Sequence, residues 1–304
     1  MATVTETAAP AAIRRSWSRD SVETRVFGVL RIVTIVLLLI ITIFPFYYMG
    51  LLSLRPLDRV LQDPGALWVP PSEVSLGSYG SVVAPPSAGG QGFLIFMANS
   101  ALVAFGTVAL TLLVALPGAY AVSRLEFFGR RQISVLFLAV YLFPPILLAV
   151  PLFVFFTRIG LRGTLIGLLI VYISQVVAVS IYMLRNYFDT VPVSLEEAAA
   201  IDGCSRLGVM WRISLPLAMP AIIANALFIF MIAWNEFLFA LLFLIEERER
   251  WTVSLGLSQL AGSIEIPTTV LMAGSVIVTI PIIVVFFASE RLLTEGLTAG
   301  AEKG

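Results

Sequence analysis

Six stretches of this chain are apolar over more than 20 residues each: roughly 28–53, 93–122, 132–157, 163–185, 217–244 and 268–290. Crossing the hydrocarbon of a bilayer takes about 20 residues of helix. A segment in lipid must also satisfy its own backbone hydrogen bonds, which an α-helix does and an open strand does not. The spacing therefore predicts an all-α, polytopic membrane protein with six transmembrane helices. Composition agrees: 59% of residues are hydrophobic and 12% charged, against about 45–50% and about 25% in soluble domains. The first apolar run is too long for a signal-peptide core, and no small-x-small cleavage site follows it, so it reads as a retained span.

Pro45, Pro117, Pro144, Pro145, Pro151, Pro220 and Pro281 lie within these segments. In a membrane they are tolerated where neighbouring helices meet the freed backbone groups. The Pro144-Pro145 pair predicts a break in the third span. Residues 1–25 are polar, without an apolar period, and form an N-terminal segment expected to be disordered or to lie on a surface. Residues 26–290 form the membrane domain, with an inner loop at about 186–216, and residues 291–304 form a C-terminal tail.

The basic residues orient the chain. With the N-terminus in the cytoplasm, thirteen Lys and Arg fall on inner segments, from Arg14 to Lys303, and six fall outside: Arg55, Arg59, Arg158, Arg162, Arg248 and Arg250. Both termini are then cytoplasmic. So is a polar island at residues 192–216, between the fourth and fifth spans. Ser194 reads as the N-cap of a short helix, with Glu197 three residues on as in a capping box. Glu196 and Glu197 fall in its first turn, where the helix dipole favours negative charge. Ala198, Ala199 and Ala200 favour helix, and Gly203 suits a left-handed C-cap. A helix of about two turns is marginal in water and needs a partner surface. Its small alanine face suits docking of another protein; the same spacing suits a connector lying on its own membrane domain.

Several chemistries are excluded. There is no His, and Cys204 is the only cysteine, so zinc sites, thiol–imidazole pairs and disulfides have no ligands. No metal site is expected. The only lysine, Lys303, is followed by Gly304 at the end of the sequence, so there is no Gly-Lys-Ser/Thr phosphate loop. A net charge of zero argues against a nucleic-acid partner.

Polar residues inside the membrane are costly and often functional. Glu236 is the only carboxylate well inside a span, and Asn99, Tyr172, Gln175, Asn225 and Asn235 are further interior candidates. Amides and aromatic faces suit sugar hydroxyls and ring CH groups. Interhelical hydrogen bonding uses the same residue types. The 21 phenylalanines read as packing or lipid contact.

Three local features carry a family resemblance. Glu197-Ala198-Ala199 with Asp202-Gly203, followed by Ile213-Ser214-Leu215-Pro216, resembles the EAA motif of the permease subunits of bacterial ABC-type importers. The Trp234-Asn235-Glu236-Phe237 box and the terminal Gly296-Leu297-Thr298-Ala299-Gly300 with Lys303-Gly304 are similar to the maltose-transporter-type, carbohydrate branch. The resemblance covers nearly all of the chain after residue 25. It departs at Glu302, where a small apolar residue is usual, and at Cys204, where Ala is common.

The resemblance implies a bacterial inner-membrane permease without a cofactor of its own. It would pair with a second homologous permease, with a dimer of ATPase subunits that bind ATP and Mg, and with an extracytoplasmic solute-binding protein; membrane lipid surrounds it. Glu197, Ala198, Ala199, Asp202 and Gly203 would form the coupling helix docking on the ATPase, and Gly296, Leu297 and Gly300 would reach between the ATPase subunits. Ser258 and Gly262, in the outer loop after the fifth span, would meet the binding protein. A non-sugar solute remains open. An ion-coupled secondary transporter would need more buried ionisable groups than Glu236, and an intramembrane enzyme would need a catalytic pair that the spans lack.

Overall fold

The computed structural model describes residues 19–301. Arg14, Arg15, Glu302, Lys303 and Gly304 lie outside the described residues, as does most of the polar N-terminal segment. Among the described residues there is no strand. The chain divides into two compact units, Met1–Tyr48 and Met49–Gly304. In the first, helix α1 (Arg19–Ser53) begins inside the segment read as irregular. It presents Ile32, Val36, Leu39 and Ile43 to its surroundings, as a helix immersed in lipid does.

The second unit carries the rest. Two short helices, α2 (Leu57–Gln62) and α3 (Gly77–Val83), lie in the Pro- and Gly-rich connection to α4 (Phe93–Arg124). Then follow α5 (Arg130–Leu142), α6 (Ala149–Arg158), α7 (Leu165–Phe188), α8 (Val193–Ile201) and α9 (Arg206–Val209). A π-turn at Met210–Ser214 leads through α10 (Leu215–Leu217) into α11 (Met219–Asn235) and α12 (Leu238–Leu244). Helices α13 (Val253–Gly262) and α14 (Thr268–Ala301) complete it. Four helices are long and apolar enough to cross a membrane, and six spans result if each of two bent pairs counts as one.

Side-chain contacts set the directions. Gly106 faces Leu169 and Gly118 faces Ile181, so α4 and α7 advance together and run parallel. Two parallel spans need one full crossing between them. The α5–α6 pair supplies it, bent by 87° at the Pro144-Pro145 break that the sequence predicts. Asn225 touches Met183 while Glu236 touches Tyr172, so α11 runs antiparallel to α7. The short helix α8 therefore sits at the same end as the α4–α5 connection.

The fifth span departs from expectation. The segment 217–244 is not one helix: it bends by 77° at its start and breaks again between Asn235 and Leu238, with Glu236 in an extended conformation. The tail is helical through most of its length, because α14 continues to Ala301. Gly296, Leu297 and Gly300 lie on that helix.

Two apolar clusters hold the unit. One gathers Phe93, Phe96, Tyr172, Phe230, Trp234, Phe239, Phe243 and Leu255 around the fifth-span break. The other packs Ala115, Ala119, Ile181, Leu184, Phe188, Met210 and Leu215 beneath α8 and the π-turn. Phenylalanine serves packing in both, as the sequence reading assigned it. The approach of α13 to α4 is close: a Cβ on Gly256 would stand 2.5 Å from a ring carbon of Phe96. Gly256→Val is expected to overpack this contact at a cost of about 1–3 kcal/mol and to lower the thermal midpoint in detergent. Gly80→Ala, where nothing lies within 4 Å, should leave the midpoint nearly unchanged.

Candidate functional site

Helix α8 starts earlier than the capping-box reading requires. Pro192 precedes the first helical residue, and no side chain caps the N-terminus. Ser194 is inside the first turn, and Glu197 falls past it. The physical reason is the proline, whose fixed φ already presents an extended entry to the helix. The C-terminus follows the sequence reading. Gly203 has φ +89°, a conformation that costs other residues steric strain. The N–H of Cys204 donates to Ala199 O and that of Gly203 to Ala200 O, each at 3.0 Å, which closes the helix in a Schellman motif. Ser205 Oγ then accepts from the Gly208 N–H at 3.2 Å and caps α9. The end of α8 and the start of α9 are thus fixed by their own hydrogen bonds.

Burial sorts the two glutamates. Glu196 and Ala199, three residues apart on one face, are buried; Glu197, Ala198, Asp202 and Gly203 are exposed. Arg124 Nε, at the end of α4, lies 3.0 Å from Glu196 Oε2, with side-chain exposures of 11% and 9%. Ser214 Oγ in the π-turn donates to Glu196 Oε1 at 2.8 Å, and the Tyr120 hydroxyl lies 3.5 Å from Oε2. The other end of the Arg124 guanidinium donates to Val191 O at 2.8 Å and to Ser123 Oγ at 3.1 Å. Ser123 in turn donates to Asp189 Oδ1 at 2.5 Å. One carboxylate thus joins α8 to the fourth helix of the chain, to the turn after α7 and to the entry of the fifth span.

The sequence reading placed Glu196 only as a dipole partner, counted Arg124 only toward orientation and Ser214 only as part of the motif, and did not name Asp189. The i, i+3 spacing of Glu196 and Ala199 is the signal that marks their shared face.

Around the rest of its surface α8, with its neighbours, leaves apolar residues exposed: Val193, Leu195, Ile201 (86% exposed), Leu207 and Trp211. Exposed large apolar side chains on one short segment point to an interaction surface. Beside it a cleft of about 880 Å³ opens, lined by Tyr120, Arg124, Phe127, Glu196, Glu197 and Arg206 among others.

Among the interior candidates, the structure brings together Tyr172 and Glu236. The Tyr172 hydroxyl donates to Glu236 Oε2 at 2.5 Å. The same carboxylate accepts from the Phe239 N–H at 2.8 Å and the Ala240 N–H at 3.2 Å, so it caps α12 across the break. Asn99 donates to the carbonyls of Glu249 and Trp251, and exposed Asn235 donates to Met231 O one turn back. Asn225 is fully buried; its Oδ1 has no hydrogen-bond partner, and neither does Gln175 Nε2. Ser258 and Gly262 lie on the last turns of α13, Ser258 half-buried and Gly262 exposed. Among the described residues, no three His, Cys, Asp or Glu side chains are grouped to hold a metal.

Apolar spans, with a short surface helix tied to them by a buried ion pair, define a polytopic membrane protein. Residues 114–298 match the family described as the binding-protein-dependent transport system inner membrane component, and the chain belongs to that family. It is 36% identical over 268 residues to the inner membrane ABC transporter permease protein YcjP of Escherichia coli, covering 88% of this chain and 94% of that one. With the trehalose/maltose transport system permease protein MalG of Thermococcus litoralis it shares 37% identity, over 91% of this chain and 97% of the relative. The fold matches the crystal structure of a bacterial ABC transporter involved in the import of the acidic polysaccharide alginate. The TM-score is 0.77 at 24% identity, over 91% of this chain and 98% of that one. The protein is a multi-pass inner-membrane permease subunit of an ABC importer and is not itself an enzyme.

Breaking a buried pair by removing one partner leaves a charge without compensation, at a cost on the order of 3 kcal/mol. Arg124→Met is expected to loosen α8, read as faster amide hydrogen exchange over residues 193–201. Arg124→Met combined with Glu196→Met should recover much of the protection, because no charge is then stranded.

Proposed function

We propose that the chain is one of two homologous permease subunits of a carbohydrate importer, driven through α8 by a pair of ATPase subunits that bind ATP and Mg. The observation that carries this reading is the two-sided character of α8, anchored inward by Glu196 and apolar outward. A helix held in this way transmits displacement as a rigid body. Glu197, Ala198, Asp202 and Gly203 form the coupling surface, and Ala199 packs behind it. ATP binding closes the ATPases, α8 moves with them, and the Arg124–Glu196 and Ser214–Glu196 bonds pass that movement to α4 and to the entry of the fifth span. The spans then rock between outward-open and inward-open states. Affinity for ATP and affinity for the outward state bias each other by the same free energy.

The excess of basic residues on the segments that share the side of α8 supports cytoplasmic termini. The domain limits 1–25, 26–290 and 291–304 remain the working division. Gly296, Leu297 and Gly300, at the end of α14, are proposed to contact the ATPases, and Ser258 and Gly262 an extracytoplasmic solute-binding protein. A sugar substrate is supported by the named function of the Thermococcus litoralis relative. Of the proposed path residues, Gln175 and Asn225 keep unpaired polar atoms, so they are the better placed to meet sugar hydroxyls. Asn99, Tyr172, Asn235 and Glu236 already bond within the chain.

Gly203→Pro tests the coupling reading. Proline cannot take the left-handed φ, so α8 loses its fixed end. Membrane insertion should persist while sugar uptake falls and ATP hydrolysis continues in the assembled importer. Wild-type uptake would overturn the assignment. Gln175→Ala is expected to change the ranking of sugars in competition for uptake, with assembly intact; an unchanged ranking returns Gln175 to packing.

A further inference from the structure

At the end of the spans that α8 shares, a cleft of about 500 Å³ lies between α5 and α7. It is lined by Arg130, Arg131, Ser134, Val135, Tyr182 and Arg185. Three arginines converge there, and the acids nearest to them along the chain are Glu126, which lines the cleft beside α8, and Asp189. Asp189 Oδ2 stands 3.5 Å from Arg185 Nε, and its other oxygen accepts from Ser123. The Arg185 Nε is buried without a hydrogen bond. Arg130 is used by the fold: it donates to Val122 O and Ser123 O, the carbonyls left open at the end of α4. Ser134 donates to Arg130 O. Arg131 is exposed and has no ion pair or side-chain hydrogen bond within the described residues.

These arginines stand where two spans end, Arg130 and Arg131 at the first turn of α5 and Arg185 in the last turn of α7. That is the depth of lipid phosphates. A basic pocket between helices at this depth attracts anionic headgroups, and two guanidinium groups suit the forked acceptor geometry of a phosphate. Above them, α5 turns Val135, Leu136 and Val140 outward, a surface for an acyl chain. Scattered span-end arginines that reach into the interface would give a basic edge, but not a cleft that gathers three of them with Ser134, Val135 and Tyr182.

We propose that this cleft is a binding site for the phosphodiester headgroup of an anionic phospholipid, held by Arg131 and Arg185 and seated on Ser134 and Tyr182. Bound there, one lipid ties the start of the third span to the end of the fourth, next to the Asp189–Ser123–Arg124 chain that holds α8. The inference does not depend on which solute is carried.

The test uses the whole importer, purified with its partner subunits, delipidated, and titrated with phosphatidylglycerol, phosphatidylcholine or inorganic phosphate under native mass spectrometry. Wild type is expected to retain one phosphatidylglycerol per copy of this chain. Each arginine near a charged headgroup contributes about a fivefold factor in binding. Arg131→Gln should therefore weaken retention about fivefold and the Arg131→Gln/Arg185→Gln pair roughly thirtyfold, with phosphatidylcholine unaffected. Arg131 makes no side-chain bond within the described residues, so the single variant keeps the result readable if the double variant misassembles. Equal retention of phosphatidylglycerol by wild type and the single variant would overturn the proposal. So would displacement of the lipid by millimolar inorganic phosphate, which would mark a site for a free anion.

Discussion

Water is absent from the bilayer core, so each backbone group released by a broken helix must be met by the protein itself. This structure breaks its helices repeatedly, and at several breaks a polar side chain takes up the freed groups. Glu236 caps α12 after the fifth span interrupts. At an exposed edge, Asn99 holds the carbonyls of Glu249 and Trp251. Arg130 closes the end of α4, and Arg124 reaches the carbonyl of Val191 between α7 and α8. The few polar residues of a very apolar chain are largely spent on this.

The Glu196 site follows from the same constraint and adds a mechanical one. A buried ion pair is weak evidence for stability, because desolvation offsets much of the Coulomb attraction. What it supplies is position. Arg124 is fixed by two further acceptors, Val191 O and Ser123 Oγ, and Ser214 by its place in the π-turn, so the carboxylate has one seat. Helix α8 cannot shift on the membrane domain without carrying α4 and the fifth span along. A connector helix lying on its own membrane domain and a docking helix are therefore not opposed descriptions: the inner face does the first and the outer face offers the second.

The two glutamates of the polar island show how far local reading reaches. Spacing identifies a short helix ending at Gly203, and the Schellman bonds of Cys204 and Gly203 bear that out. It does not tell which glutamate is buried, because the answer depends on Arg124, 72 residues earlier. The capping box fails for a local reason, since Pro192 starts the helix before Ser194 can cap it. The fifth span fails for a distant one. Its apolar run is continuous in sequence, and the break at Glu236 becomes tolerable only because Tyr172 on α7 donates to the same carboxylate that caps α12.

By itself the sequence determined that this chain is helical and crosses a membrane about six times, because hydrocarbon admits little else and the apolar lengths can be read residue by residue. It also marked the Pro144-Pro145 break and the end of α8, where proline and glycine act within a few residues of themselves. Only the tertiary structure decided which polar residues are consumed in holding broken helices and which remain open. Hydrogen-bond partners in this protein are set by which spans meet, and that meeting is decided by packing across the whole domain rather than by any one segment.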